Sequence, residues 1–403
     1  MRTRPLAWRR RKDYIAHIVT RKPIRPFFFP ELDPESFLPP EKHLSQFRQA
    51  LLDWFALHKR DLPWRTNYTP YEVWISEIML QQTQMERGTQ YFKQWMKHFP
   101  DIRTLAAASE DEVLRLWEGL GYYSRARHIL AAARIIVQKH EGIFPSDPAH
   151  IRDLPGVGPY TAGAVASIAF GANIPCIDAN VERVLSRIFD IDTPVKRKPA
   201  ASEIRRLALK LVPEGQAREH NQAIMELGAL ICGKKPHCGR CPVATFCISR
   251  KAGIADKRPV VEKKTPIVPI VMATGVLWHQ GGIFLQKRLS EGVWGNLWEF
   301  PGGRVEAGEQ PTEAVTREFM EETGFAVTHV RKYGILKHSY TIYRITMHCF
   351  QLELTGLHGQ APPPPPRLTA ASAWLWAGRE EIAKLPMSGP HRRLADMLFD
   401  RDI

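Results

Sequence analysis

The stretch LPGVGPYTAGA, residues 154–164, decides how the first half of this 403-residue chain is read. Gly156 and Gly158 sit in a tight turn between segments of helical character, so bare backbone N–H groups at the start of the second helix can face a phosphate. That is a helix-hairpin-helix shape. Alone, a Pro-Gly-Val-Gly turn is also an ordinary connection between helices. Its neighbourhood narrows the choice. Upstream lie SEIMLQQTQ, residues 76–84, and GLGYYSRAR, residues 119–127; downstream lie IDANVERVL, residues 177–185, and then four cysteines.

The whole chain fits two domains better than one core. Its formal charge of +14 favours a polyanionic partner, and nucleic acid over membrane, because no apolar run is long enough to span a bilayer. Residues 1–43 read as a basic arm: Asp13 is the single acid among residues 1–28, against nine Lys or Arg. A disordered arm is the first reading, with a DNA-touching tail or an organelle-targeting segment as the sharper alternatives. From Leu44 the pattern turns helical, with Phe47, Leu51, Trp54 and Phe55 at helical spacing, and residues 44–250 are read as an all-α domain. Residues 251–268, charged and interrupted by proline, read as a linker. In residues 269–403 the alternation of Tyr343, Ile345, Met347 and Cys349 with polar residues is that of a half-buried strand, and an α+β domain with one or two helices is expected. APPPPPR, residues 361–367, reads as an extended spacer.

Cys232, Cys238, Cys241 and Cys247 are separated by five, two and five residues. Four thiolates suit tetrahedral zinc or a [4Fe–4S] cluster, and a single central Cys-x-x-Cys pair leans towards iron–sulfur. Cys176 and Cys349 stand apart and read as packing residues.

With LPWR at 62–65, SEIMLQQTQ, GLGYYSRAR, the hairpin, DANV at 178–181, MELGA at 225–229 and the cysteines, residues 44–250 resemble the MutY-type adenine DNA glycosylases of the endonuclease III superfamily. The resemblance implies a [4Fe–4S] cluster on the loop 232–247, although the first cysteine spacing is one residue shorter than usual there. It implies a monomer acting on double-stranded DNA with adenine opposite 8-oxoguanine or guanine. The location would be the nucleoid in a bacterium, or an organelle or nucleus if the arm is a targeting segment.

Breaking an N-glycosidic bond needs a proton for the departing base and negative charge beside the developing sugar cation. Glu77, flanked by Trp74, Ile78 and Met79, is expected to be desolvated and to keep its proton; Asp178, at a helix start, is expected to stay ionised. By resemblance Glu77 protonates the adenine, Asp178 stabilises the sugar, and Tyr160 and Asn180 order the site. Taken singly, Asp178 is also a good N-cap and Glu77 an ordinary ion-pair partner. Bifunctional relatives carry a lysine where this chain has Tyr160, so a monofunctional enzyme is expected. Gln82, Thr83 and Tyr122 match positions that wedge into the duplex, and Trp64, Arg65 and Glu226 match positions lining the adenine pocket. Tyr122 alone would read equally well as a buried aromatic.

GRVEAGEQPTEAVTREFMEETGF, residues 303–325, carries a complete Nudix box. Glu318, Glu321 and Glu322 share one face of a helix bounded by Pro311 and Gly324, a set suited to Mg²⁺. MutY-type proteins end in a domain of this fold that inspects 8-oxoguanine instead of hydrolysing nucleotides. The intact box is expected to serve packing, with Mg²⁺-dependent nucleotide pyrophosphohydrolysis as the alternative. The family's reader loop corresponds to HSYTI, residues 338–342, where Thr341 offers the hydroxyl and Ile342 replaces a histidine.

Overall fold

The structure, a computed structural model, describes residues 40–262, 265–356 and 363–399. Most of the expected N-terminal arm and the start of the proline run therefore lie outside the described residues.

The first region is helical throughout. Helix α1 (Glu41–His58) starts three residues before the periodicity at Leu44 becomes visible and buries Leu44, Phe47, Leu51, Trp54 and Phe55. Helix α2 (Pro70–Met79) is capped by Thr69, whose side chain accepts from the Glu72 N–H, and is buried along nearly its whole length. It is followed by α3 (Met85–His98), α4 (Ile102–Ala107), α5 (Glu110–Leu116) and α6 (Ser124–Lys139). The hairpin comprises α7 (Pro148–Arg152) and α8 (Pro159–Ile168), with Gly156 at φ 73° in the left-handed region that a side chain would strain. Helices α9 (Ala179–Ile188), α10 (Lys198–Leu211) and α11 (Ala217–Leu230) precede the cysteine loop, which ends in α12 (Ile248–Lys251).

These helices bury two separate cores. One gathers α2 to α8 around Trp74, Trp95, Trp117 and Ile136. The other gathers α1 and α9 to α11 around Leu51, Leu185, Ile204 and Leu227. Met225 of α11 packs against both, and so marks the seam between them.

The second region is a mixed sheet of β1 (Val268–His279), β2 (Gly282–Arg288), β3 (Trp298–Glu299), β4 (Gly302–Arg304), β5 (Val327–Tyr340), β6 (Tyr343–Leu354) and β7 (Ala371–Ala377), with the main order β3-β2-β1-β6-β5. β1 and β6 run parallel, Val268 opposite Tyr343. Along β6, Ile345, Met347 and Cys349 are buried, as the alternation requires. Helix α13 (Pro311–Thr323), ended by Gly324 in the left-handed conformation, covers one face through Ala314, Val315 and Phe319. The other face is covered by α14 (Arg379–Lys384) and α15 (Gly389–Phe399), through Ile382, Leu394 and Ala395. The domain thus has three helices where the sequence pattern showed one or two.

The two regions pack together within one unit, Pro39–Ile403. Arg392 bridges to Glu118 at 2.6 Å, Lys287 to Asp111 at 2.8 Å, and the Tyr123 hydroxyl donates to the Met387 carbonyl at 2.9 Å. Among the described residues no helix is long and apolar enough to cross a membrane.

Candidate active site

Glu77 and Asp178 face one another across the seam. Glu77 belongs to α2 and hence to the first core; Asp178 is the N-cap of α9 in the second, its side chain accepting from the Val181 N–H at 2.8 Å. Glu77 is 8% exposed. Burial lifts its pKa to about 7, helped by the nearby Asp178 charge and opposed by a hydrogen bond from the Tyr160 hydroxyl and by Arg65. The ion-pair alternative is therefore not its role here: it is buried, and its direct partner is a phenol. Tyr160 comes from α8, and burial beside Glu77 holds its own pKa far above the usual phenol value, so it remains a donor. Its oxygen also lies 3.6 Å from the Met225 sulfur.

The N-cap reading of Asp178 holds together with its placement beside Glu77. Asn180 donates to its other oxygen at 2.6 Å. Burial raises the Asp178 pKa from its ordinary value, against the bonds from Val181 and Asn180 that favour its charge. Cys176, also buried, is pushed well above the usual thiol value and stays neutral beside both carboxyls. Asn180 is pressed from behind by α11: a Cβ on Gly228 would lie 2.5 Å from the Asn180 Cβ.

The other expected site residues divide into groups. Glu226 is buried and accepts from Arg60 and Arg65, at 2.7 and 2.9 Å. Burial pushes its pKa up, but these two guanidiniums outweigh that and leave it lowered. Trp64 is buried in the first core, edge-on to Phe92. Gln82 and Tyr122 both adopt left-handed backbone, at φ 58° and 47°, which is uncommon outside glycine. Thr83 is half-buried in the same turn as Gln82. Gly158 caps α8 with open space where a side chain would stand. Thr341, at φ 50°, forms the exposed tip of the β5–β6 hairpin, and Tyr340 beside it meets the Tyr122 ring at 5.7 Å.

The sequence reading missed the residue that joins the turns of Gln82 and Tyr122. Arg125 of α6 donates to the Ile78 and Gln81 carbonyls at 2.8 and 2.7 Å and to the Leu120 and Gly121 carbonyls at 3.1 and 3.3 Å, while its guanidinium lies over Trp117 and Tyr122. It stood in the quoted GLGYYSRAR, but nothing in the pattern pointed to its acceptors. Arg183 and Arg187 of α9 were missed too. Arg183 links Asn180 and the Gly228 carbonyl to the Cys232 carbonyl, and buried Arg187 reaches the Cys232 carbonyl and sulfur, at 3.0 and 3.2 Å.

Cys232, Cys238, Cys241 and Cys247 line one pocket with Val184, Arg187 and Leu227. Among the described residues no group of three or more His, Cys, Asp or Glu side chains is drawn together as a site for one metal ion. In the second domain the box carboxylates are otherwise engaged. Arg317 pairs with Glu309 at 2.9 Å, Glu318 at 3.1 Å and Glu321 at 3.3 Å. Glu322 turns inward to accept from Gln286 and the Gly302 N–H, at 2.8 and 3.2 Å; burial and the neighbouring Glu299 raise its pKa to about 7. Glu318 and Glu321 thus meet one Arg317 nitrogen, while Glu322 faces Gln286 and the Gly302 N–H.

Comparison with known proteins agrees with this division. Residues 75–214 match the HhH-GPD superfamily of base excision DNA repair proteins, and residues 273–397 match the NUDIX domain. The human adenine DNA glycosylase is 34% identical over 370 residues, covering 78% of this chain and 68% of the human protein. That of Buchnera aphidicola from Acyrthosiphon pisum is 37% identical over 257 residues, covering 63% of this chain and 73% of the relative. A solved thermostable thymine-DNA glycosylase matches 53% of this chain and 98% of its own, at 28% identity and a TM-score of 0.49. With the carboxyl pair on a helical hairpin scaffold and a mixed-sheet domain behind it, the chain belongs to the MutY-type adenine DNA glycosylase family, hydrolases of the N-glycosidic bond that carry a C-terminal Nudix-like domain.

Proposed function

We propose that this chain removes adenine from double-stranded DNA where it lies opposite 8-oxoguanine or guanine, by hydrolysis and without a covalent amine intermediate. The observation that carries the reading is Glu77: a buried carboxyl lifted to about 7, placed beside a second carboxyl that two hydrogen bonds keep oriented. A carboxylic acid with that pKa is half protonated near neutrality and can deliver a proton to a departing purine. Asp178, when ionised, supplies negative charge where the sugar becomes cationic, and water completes the reaction. Asn180 holds its second oxygen, and Tyr160 orients Glu77. Tyr160 stands where bifunctional relatives carry a lysine, and a phenol cannot form a Schiff base.

The target base has to leave the stack, and the left-handed turns at Gln82 and Tyr122, tied together by Arg125, suit a wedge that fills its place. Thr341 on the hairpin tip is the hydroxyl offered to the opposite base. The net charge of +14 and the open N–H end at Gly158 favour phosphate contact. The four thiols that line one pocket, with a single central Cys-x-x-Cys pair, fit a [4Fe–4S] cluster as four sulfur donors. When bound, such a cluster would hold the loop 232–247 against α9. The Nudix-like domain is read as an inspection module whose box is kept for packing, since Arg317 and Gln286 engage its carboxylates internally.

Single-turnover cleavage of duplexes with A:8-oxoguanine and A:G pairs tests the reading. Wild type should release adenine from both, and Glu77→Gln should be reduced by several orders of magnitude. Retained activity in that variant, or borohydride trapping of wild type on DNA in good yield, overturns the mechanism. Magnesium-dependent pyrophosphate release from nucleotides that is lost in Glu321→Gln would overturn the packing role of the box.

A further inference from the structure

The segment Trp294-Gly295-Asn296-Leu297 belongs by sequence to the second domain, yet Leu297 is wholly buried in the core of α2 to α8. Polar bonds anchor it on both sides: Asn296 donates to Glu110 at 2.6 Å, and Arg127 donates to the Gly295 carbonyl. Trp294 and Asn296 both take left-handed backbone, at φ 64° and 61°. Asparagine adopts that conformation readily, but it is uncommon for a bulky residue such as Trp294 and marks a position held by its surroundings. The segment is a plug, and its first residue packs against the apolar clusters of both domains.

From the plug a chain of rings runs to the reader hairpin. The Trp294 indole lies 6.0 Å from Tyr340, inclined at 63°, and 6.0 Å from His338, inclined at 56°. Tyr340 in turn meets Tyr122 at 5.7 Å. The hairpin itself ends at Tyr340 opposite Tyr343, and Thr341 at its tip is exposed. Within the hairpin Arg344 donates to the Thr341 carbonyl at 3.3 Å; from outside it, the Trp294 indole of the plug meets the ring at the hairpin's end.

We propose that Trp294 is a positioning residue for the choice of base opposite the excised adenine, holding Tyr340 against Tyr122 and so placing the Thr341 hydroxyl. This rests on the glycosylase reading above. It assigns Trp294 no contact with the reacting bond, so its loss should alter selection and leave the chemical step intact.

The test measures single-turnover rates on A:8-oxoguanine and A:G duplexes for wild type, Trp294→Ala, Trp294→Phe, Tyr340→Ala and the double alanine variant. Trp294→Ala should lower the ratio of the two rates about tenfold, equivalent to about 1.4 kcal/mol. The A:G rate should stay within about twofold, because neither carboxyl is touched. Trp294→Phe should restore most of the ratio. Tyr340→Ala, on the hairpin end, should reproduce the loss even if Trp294→Ala folds poorly, and the double variant should be no worse than either single one. An unchanged ratio, parallel loss on both duplexes, additive losses or equal wild-type rates on the two duplexes would each overturn the proposal. Wild-type inactivity on both would instead overturn the glycosylase reading.

Discussion

Tyr160→Phe offers a test of the carboxyl pair in which the sign is fixed in advance. Glu77 sits at about 7 because burial raises it while the Tyr160 hydroxyl, donating to the charged form, holds it down. Replacing the phenol by phenyl removes that donor and leaves the burial. A hydrogen bond to a charged group contributes about 1.5–3 kcal/mol, or about one to two pKa units. The lower figure fits here, since Arg65 still opposes burial after the change. Glu77 should then titrate near 8, and at pH 7.5 its protonated fraction should rise from about one quarter to about three quarters.

Single-turnover rates measured between about pH 5 and about pH 9 should show a descending limb in wild type as the acid loses its proton, and the variant's limb should lie about one unit higher. The low-pH plateau should fall modestly, because a weaker acid transfers its proton less readily. Both limbs belong to the coupled pair, so the displacement carries the information and the absolute values do not. A limb that stays in place, or moves towards lower pH, refutes the assignment of Glu77 as the acid held by Tyr160.

Other consequences can be checked alongside. Because the folded-state pKa of Glu77 lies above its ordinary 4.5, the stability it contributes is full below 4.5 and is lost as pH rises through about 7. Glu77→Gln should therefore melt higher than wild type at pH 8, by up to about 3 kcal/mol, and much nearer to it at pH 4.5. Equal differences at the two pH values would mean that burial does not set this pKa. Gly228→Ala places a methyl 2.5 Å from the Asn180 Cβ and should lower the cleavage rate more than tenfold, since a misplacement of about an ångström can cost about a hundredfold. Unchanged kinetics would show that α11 does not set the Asn180 position. Arg125→Lys keeps the charge but cannot reach four carbonyls in two turns, and should cost about 2–4 kcal/mol in denaturant melts. It should also weaken distortion of the duplex, read from a fluorescent base beside the target adenine. Full distortion by a folded variant counts against the clamp.

How much of this was legible in the sequence depended on whether a residue's partner was near in sequence or only in space. The bounds of α13 could be read because Pro311 and Gly324 act on their own backbone, and β6 because alternation is a property of one strand. Glu77 and Asp178 were placed by the motifs around them. Their ionisation was only half legible: the N-cap bonds that favour Asp178's charge are local, whereas the dryness that raises it arises where two cores meet at Met225. Arg125 makes the same point more sharply. Its acceptors are backbone carbonyls, which carry no residue identity, in two turns far apart in sequence that become neighbours only when the first core assembles. Trp294 could be seen as an aromatic before a strand, but its place at the domain junction follows from Leu297 entering the other domain's core. In both cases the residue that orders the site binds main chain or rings across the fold, so a pattern of side chains along the sequence shows the groups that do chemistry before it shows what holds them in place.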